Sequence, residues 1–243
     1  MNFDLDLGDK FDTSNVTNMA LMFEWTGYAS NPFTLDLRDK FDTSKVTTMD
    51  SMFFGPGSLS KNLILKIGNK FDTSNVTSMS WMFNGIGQST INFNLDLGDK
   101  FDTSNVTNMH GMFSHAGYDS TNLTLNLGNK FDTSKVIDMS QMFSFAGYNS
   151  ENITIRLEDK FDTGKVTDMS QMFFYTGYSN PNFTLNLGSK FNVDKVASYG
   201  TSATFTATGN ANPSFKPKAS VKTQTEKDAL LSKFPNIEVT IVP

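Results

Sequence analysis

Cysteine is absent from the 243 residues, which removes disulfides, zinc ribbons and thiol chemistry together. That absence fits a cytosolic protein and fits equally a Gram-positive surface protein built without disulfides, so it leaves the compartment open. No run approaches the roughly 18 apolar residues that a membrane helix needs. The opening Met1-Asn2-Phe3-Asp4 has neither a basic flank nor an apolar stretch, so no signal peptide is expected in this sequence. Excess positive charge is missing too: the formal net charge is −5, which argues against a nucleic-acid partner. Tryptophan and histidine occur twice each, whereas Phe occurs 23 times and Met 13 times, so the apolar set rests on these two residues.

A strict period organises what is present. Phe-Asp-Thr-Ser begins at Phe11, Phe41, Phe71, Phe101 and Phe131; Phe161 opens the same string with Gly164 for Ser, and Phe191 opens a degraded copy. Each start follows the last by thirty residues with no insertion, the signature of a solenoid in which every unit touches only its neighbours. The expected fold is α/β, a leucine-rich-repeat-like solenoid of 30-residue coils with one parallel sheet, short helices or turns opposite, and a C-terminal cap. Stacked strands lie about 4.8 Å apart, so seven coils make a rod on the order of 35 Å long.

Three parts make up a unit. In Asn92-Phe93-Asn94-Leu95-Asp96-Leu97 apolar and polar residues alternate, the period of a half-buried strand. The tight segment 98–104 follows. Then Val106, Met109, Met112 and Phe113 stand at offsets of three, six and seven, a helical stripe with Asp102 or Ser104 as N-cap and Gly117 as C′ glycine. Thr, Asn and Ser fill its interior and are poor helix formers, so a second short strand is the alternative for Val-Thr-Asn-Met.

The expected division is a seven-coil solenoid over 1–200, the last coil degenerate, and a capping region over 201–243. From Tyr199 the pattern dissolves through Ser202 and a Gly/Asn/Pro stretch, before a short helix Thr225–Lys233 and a strand Ile237–Val242. Nothing covers the strand residues Phe3, Leu5 and Leu7 of the first unit, which reads as a fragment of a longer protein.

The recurring Phe-Asp-Thr-Ser-Asn/Lys-Val-Thr-x-Met-x-x-Met-Phe resembles the BspA-like leucine-rich-repeat surface proteins, and more closely the branch called mycoplasma-type surface repeats. The match covers residues 1 to about 200. The resemblance implies a bacterial cell-surface or secreted location and a role in adhesion. Two departures stand against it: units of that branch are commonly shorter, and no secretion or anchoring segment is seen here.

Columns of identical residues have structural readings. Met19 through Met169 and Met22 through Met172 lie on the apolar stripe and are read as core. The Lys column at 10, 40, 70, 100, 130, 160 and 190 flanks the Asp12-type column and cancels its repulsion, while Asp also satisfies turn N–H groups. Calcium is disfavoured, because Gly-Gly-x-Gly-x-Asp motifs are missing. Asn62, Asn92, Asn122, Asn152 and Asn182 read as a buried ladder bonding the backbone of the next coil. Ice binding is disfavoured, since Thr13 and Ser14 are adjacent and cannot both face out of one strand. His110 and His115 recur in no other unit, and with no phosphate loop or nucleophile motif neither an enzyme nor a cofactor is expected.

Function is sought where units differ. The outward strand positions run Asp4/Asp6, Thr34/Asp36, Ile64/Lys66, Asn94/Asp96, Thr124/Asn126, Thr154/Arg156 and Thr184/Asn186. The loops around the Gly27-type column carry aromatics. Candidate ligand-binding residues are Trp25, Tyr28, Tyr118, Tyr148, Tyr175 and Tyr178 on the loops, with Thr34, Asp36, Lys66, Asp96 and Arg156 on the strand face. They point to a module that binds a host or matrix protein or a glycan. A non-binding spacer is the competing reading, and in it the tyrosines stack on one another and cover the coil edges.

Overall fold

A computed structural model describes residues 2–5, 7, 11–38, 41–68, 70–98, 100–157, 160–197 and 203–242. Asp6, Lys10, Lys40, Asp99, Tyr199, Ser202 and the side chain of Asp4 lie outside the described set. The chain winds as a parallel β-solenoid. Alternating residues form strands β1 (Phe3–Leu5), β2 (Phe33–Asp36), β3 (Leu63–Lys66), β4 (Asn92–Asp96), β5 (Asn122–Asn126) and β6 (Asn152–Arg156). Paired strands are in register at thirty residues, as Phe33 with Leu63 and Asn94 with Thr124. Hydrogen-bonded pairing divides these strands into two three-stranded sheets, β1-β2-β3 and β4-β5-β6, rather than one. A second, single-residue ladder links Asn18, Thr48, Ser78, Asn108, Asp138 and Asp168 and runs unbroken past that division.

No helix forms where the apolar stripe predicts one. The stretch after each bridge is a run of turns whose N–H groups alternate in direction. Trp81, Phe83 and Gly85 donate to the carbonyls of His110, Met112 and Ser114 in the next coil, at 2.8, 2.9 and 2.8 Å. Met82, Asn84 and Ile86 donate instead to the carbonyls three residues back. Positive φ at Trp81, Gly85 and Gly87 excludes a right-handed helix. The offsets of three, six and seven survive because the turns still point Val106, Met109, Met112 and Phe113 inward, and all four are fully buried. Asp102 is therefore not an N-cap: its Oδ1 accepts from Ser104 N–H at 2.9 Å and closes a local turn. Gly117 has φ +57° and donates to the Ile86 carbonyl of the preceding coil, so it is no helix C′ residue.

Stacked columns fill the interior. Phe53, Phe83, Phe113, Phe143 and Phe173 lie nearly parallel, with centroids 5.3–5.6 Å apart. Beside them run the column from Phe41 to Phe161 and the buried Met columns, Met22 of the first coil excepted. Each buried Phe or Met side chain contributes about 1.5–3 kcal/mol, and it does so only when a neighbouring coil covers it. Polar groups enter the core paired. The hydroxyls of Thr43, Thr73, Thr103 and Thr133 donate to the carbonyls of Asp72, Asp102, Asp132 and Asp162, at 2.7–2.8 Å.

The spatial repeat outlasts the sequence repeat. Phe205 stacks on Phe173 and Phe215 on Phe183, each two residues beyond the thirty-residue register. Asn186 bridges to Lys218, so β7 (Lys218–Val221) continues the strand column. Helix α1 (Gln224–Lys233) follows, and β8 (Glu238–Ile241) returns parallel to β7. Thr223 and Glu226 form a reciprocal capping box at the start of α1, and Phe234 packs edge-on to Phe205. This is the only α-helix among the described residues.

Candidate functional site

Two surfaces carry the residues that vary between coils: the corner after each run of turns, and the outward face of the sheets. At the corner, two positions recur in every coil. One holds Trp25, Gly55, Gly85, His115, Phe145 and Tyr175; the other holds Tyr28, Ser58, Gln88, Tyr118, Tyr148 and Tyr178. In the last three of these coils the rings form parallel stacks. Tyr118, Tyr148 and Tyr178 stand 4.9 Å apart at interplanar angles of 9° and 3°. His115, Phe145 and Tyr175 stack at 4.9 and 5.3 Å. All six rings are half-buried. Their faces are spent on one another, so between coils only edges and hydroxyls meet solvent, and a sugar finds no bare face there to stack on.

Trp25 and Tyr28 are arranged differently. They meet edge to face at 5.4 Å and stay 47% and 46% exposed, far from the tyrosine stack. Trp25 lies over Gly55 of the next coil, where a Cβ would stand 2.5 Å from Trp25 Cζ3. Trp81 repeats this arrangement: a Cβ on Gly111 would overlap its six-membered ring. Both tryptophans therefore occupy room that a glycine leaves one coil on.

The histidines have local partners. His110 Nδ1 lies 2.6 Å from Ser140 Oγ, and His115 Nδ1 lies 2.9 Å from Ser114 Oγ. Burial holds the His115 imidazole below its ordinary pKa by disfavouring the charged form. Among the described residues no cluster of His, Asp or Glu has the composition of a metal site.

The Asp column closes turns. Asp12, Asp42, Asp72, Asp102 and Asp132 each accept from the N–H two residues on, at 2.9 Å. Bonds from Ser44 hold the Asp42 carboxyl below its usual range. At Asp132 burial pushes upward, but the Ser134 bonds and the charges of Lys160 and Lys190 outweigh it, so that carboxyl too sits low. The Lys column thus stands beside the Asp column in the coils described.

On the sheet face, β2 and β3 carry Thr34, Asp36, Ile64 and Lys66, with Lys66 Nζ 3.4 Å from Asp36 Oδ2 and Ile64 48% exposed. The face of β4, β5 and β6 differs. Register places Asn92, Asn122 and Asn152 in one row, Asn94, Thr124 and Thr154 in a second, and Asp96, Asn126 and Arg156 in a third. All nine are exposed or half-exposed. The Asn row is not the buried ladder bonding backbone that the sequence led one to expect. Asn122 Nδ2 donates to Asn92 Oδ1 and Asn152 Nδ2 to Asn122 Oδ1, side chain to side chain on the outer surface. The period of two that points Asn94 and Asp96 outward points Asn92 outward as well, so the sequence held this signal. Asn126 Nδ2 donates to Asp96 Oδ1 at 3.2 Å. Arg156 makes no ion pair with any described residue.

The profile of a family described as Mycoplasma protein of unknown function, DUF285, matches residues 1–67, 28–155 and 118–226. The chain belongs to this DUF285 family. No curated protein and no solved structure matches it. The matched segments overlap and together run past the last Phe-Asp-Thr string to β7, as the continued spatial repeat does. Within this DUF285 chain two cavities lined by described residues, of about 250 and 310 Å³, lie at the C-terminal end. Neither is lined by a residue of the sheet face or the aromatic corner. No described helix is long and apolar enough to cross a membrane.

Proposed function

We propose that this chain is a binding module of a bacterial cell-surface protein, and that it engages a host or matrix protein or a glycan through the outward face of β4–β6. The observation that carries this reading is the grid of nine exposed or half-exposed polar side chains in register on one sheet. The leucine-rich-repeat-like character and the BspA-like resemblance belong to the same reading, since coils with a strand along one side offer a continuous outer face. Cell-surface or secreted location and the absence of catalysis are part of it. Trp25 and Tyr28 remain a secondary contact, and the stacked tyrosines are assigned to covering the coil edges. A stiff spacer is the second reading, favoured by that self-stacking and by the near-identical units.

The test is a glycan-array and matrix-protein screen with the folded chain, with and without calcium. Binding that Asn126→Ala with Arg156→Ala abolishes, at an unchanged melting temperature, supports the module. Binding unaffected by the pair moves the site elsewhere, and no binding at all favours the spacer.

A further inference from the structure

We infer that the ligand of the β4–β6 face is a neutral, extended polysaccharide chain lying along the rod axis, one sugar to each coil. The inference rests on the binding reading above and names its ligand class. Charge narrows the choice first. The grid holds one carboxylate, Asp96, and one guanidinium, Arg156, so it has no net charge to attract a phosphate backbone, an anionic membrane or an acidic glycan. Apolar anchors are missing next. None of the nine side chains is aromatic or aliphatic, whereas protein interfaces draw their affinity from buried Trp, Tyr and aliphatic residues. What remains is a surface of amides and hydroxyls, the groups that pair with sugar hydroxyls as both donor and acceptor.

Two geometric features fit that ligand. The amide row is held in place by its own bonds, from Asn152 to Asn122 and from Asn122 to Asn92. Each amide keeps a second N–H and a free lone pair for a ligand, already oriented before it arrives. In the middle row, Asn94, Thr124 and Thr154 have no side-chain partner among the described residues. Rows repeat at the strand spacing of about 4.8 Å, close to the advance of an extended pyranose chain per sugar. Each coil therefore meets one sugar, with alternate sugars turned over, and affinity accumulates with chain length up to the three coils of the grid rather than residing in one pocket.

Isothermal titration of the whole chain with cello-oligosaccharides, from dimer to hexamer, tests this, with malto-oligosaccharides of the same lengths as a coiled control. Expected is no measurable binding of the dimer, tightening of roughly tenfold or more at the trimer that fills the three coils, little further gain toward the hexamer, and weaker binding of the coiled series. Thr124→Lys, in the centre of the grid, abolishes binding, while Ile64→Ala on the other sheet leaves it unchanged. Circular dichroism melting confirms that both variants fold. Affinity independent of length, or intact in Thr124→Lys, overturns the inference. A protein ligand lost in Thr124→Lys, with no oligosaccharide bound, overturns it while sparing the binding module. Absence of every ligand overturns both.

Discussion

The two halves of the rod share one backbone and differ in what they show to solvent. Coils bearing β1–β3 leave Leu21, Met22, Trp25, Tyr28, Leu59 and Ile64 exposed, and the next strand is preceded by exposed Ile91. Coils bearing β4–β6 expose Ile137 alone among their large apolar side chains. There the corner rings are stacked away and the sheet face is entirely polar. The Phe and Met columns of the core run through both halves, and the inward strand position varies from Phe33 to Leu63, Phe93, Leu123 and Ile153 without ceasing to be apolar, so the difference met by solvent resides in outward positions. In a solenoid the inward positions are fixed by the neighbour above and below, whereas the outward ones are free to diversify.

The largest effect that separates the halves comes from the core. Met109 is fully buried with a coil on either side, so Met109→Asp buries an unpaired charge at the junction and removes cooperative folding. Met19→Asp, in the first coil, frays that coil and spares the rest. Thermal melting with amide exchange distinguishes the outcomes; equal damage from both would show that the halves do not fold as linked neighbours.

A smaller effect tests the tryptophan seats. Gly111→Ala meets the Trp81 ring at φ +61° and is expected to cost about 2–5 kcal/mol, from left-handed strain and overpacking together. Gly85→Ala shares the positive φ but would meet only Gly55 Cα, at 3.7 Å, and is expected to cost about 1–2 kcal/mol. Chemical denaturation gives both values. Trp81→Ala should recover much of the loss at Gly111 and none at Gly85.

The smallest effect concerns pH. Asp42 in one half and Asp132 in the other both sit below the usual carboxylate range when folded. A depressed folded pKa gives stability that is complete above the unfolded value, about 3.9, and is lost as pH falls through the folded value. Asp132→Asn keeps an acceptor for the turn, as Asn192 does naturally with the Asp194 N–H at 2.7 Å. That variant should be less stable than the parent at neutral pH and should lose less stability on acidification, the two converging below the folded pKa. A loss on acidification as large as the parent's would mean that the turn bonds carry no linkage.

Much of this was legible in the residues. Alternation located the strands near residues 92–97 and told inward from outward, and the thirty-residue period supplied the register. The helix was misread because Val106, Met109, Met112 and Phe113 have spacings that a run of turns also produces. The opposing signal was the column Ser51, Trp81, Gly111 and Gln141, which must all tolerate positive φ. Asn92 opens the strand and points outward with Asn94 and Asp96, which places the Asn ladder on the surface rather than in the core. Phe205 and Phe215 were invisible as repeat members because a two-residue shift moves them off register. At the corner, Tyr28, Tyr118, Tyr148 and Tyr178 share one register in the sequence, but how completely their faces are used depends on side-chain orientation, which spacing does not encode.

Tandem arrays grow and shrink when units are exchanged unequally during replication, and near-identical coils look interchangeable under such traffic. The tryptophan seats make them less so. A unit bearing Trp25 requires a successor with glycine at that register, and a unit bearing Trp81 requires one four positions earlier in the unit. Duplicating the Trp81 unit would place tryptophan upon tryptophan, whereas copying the Gln141 unit meets no such obstacle. The order of coils is thus under a rule of succession, and the repeat that seems freest to vary in number carries a syntax for which unit follows which.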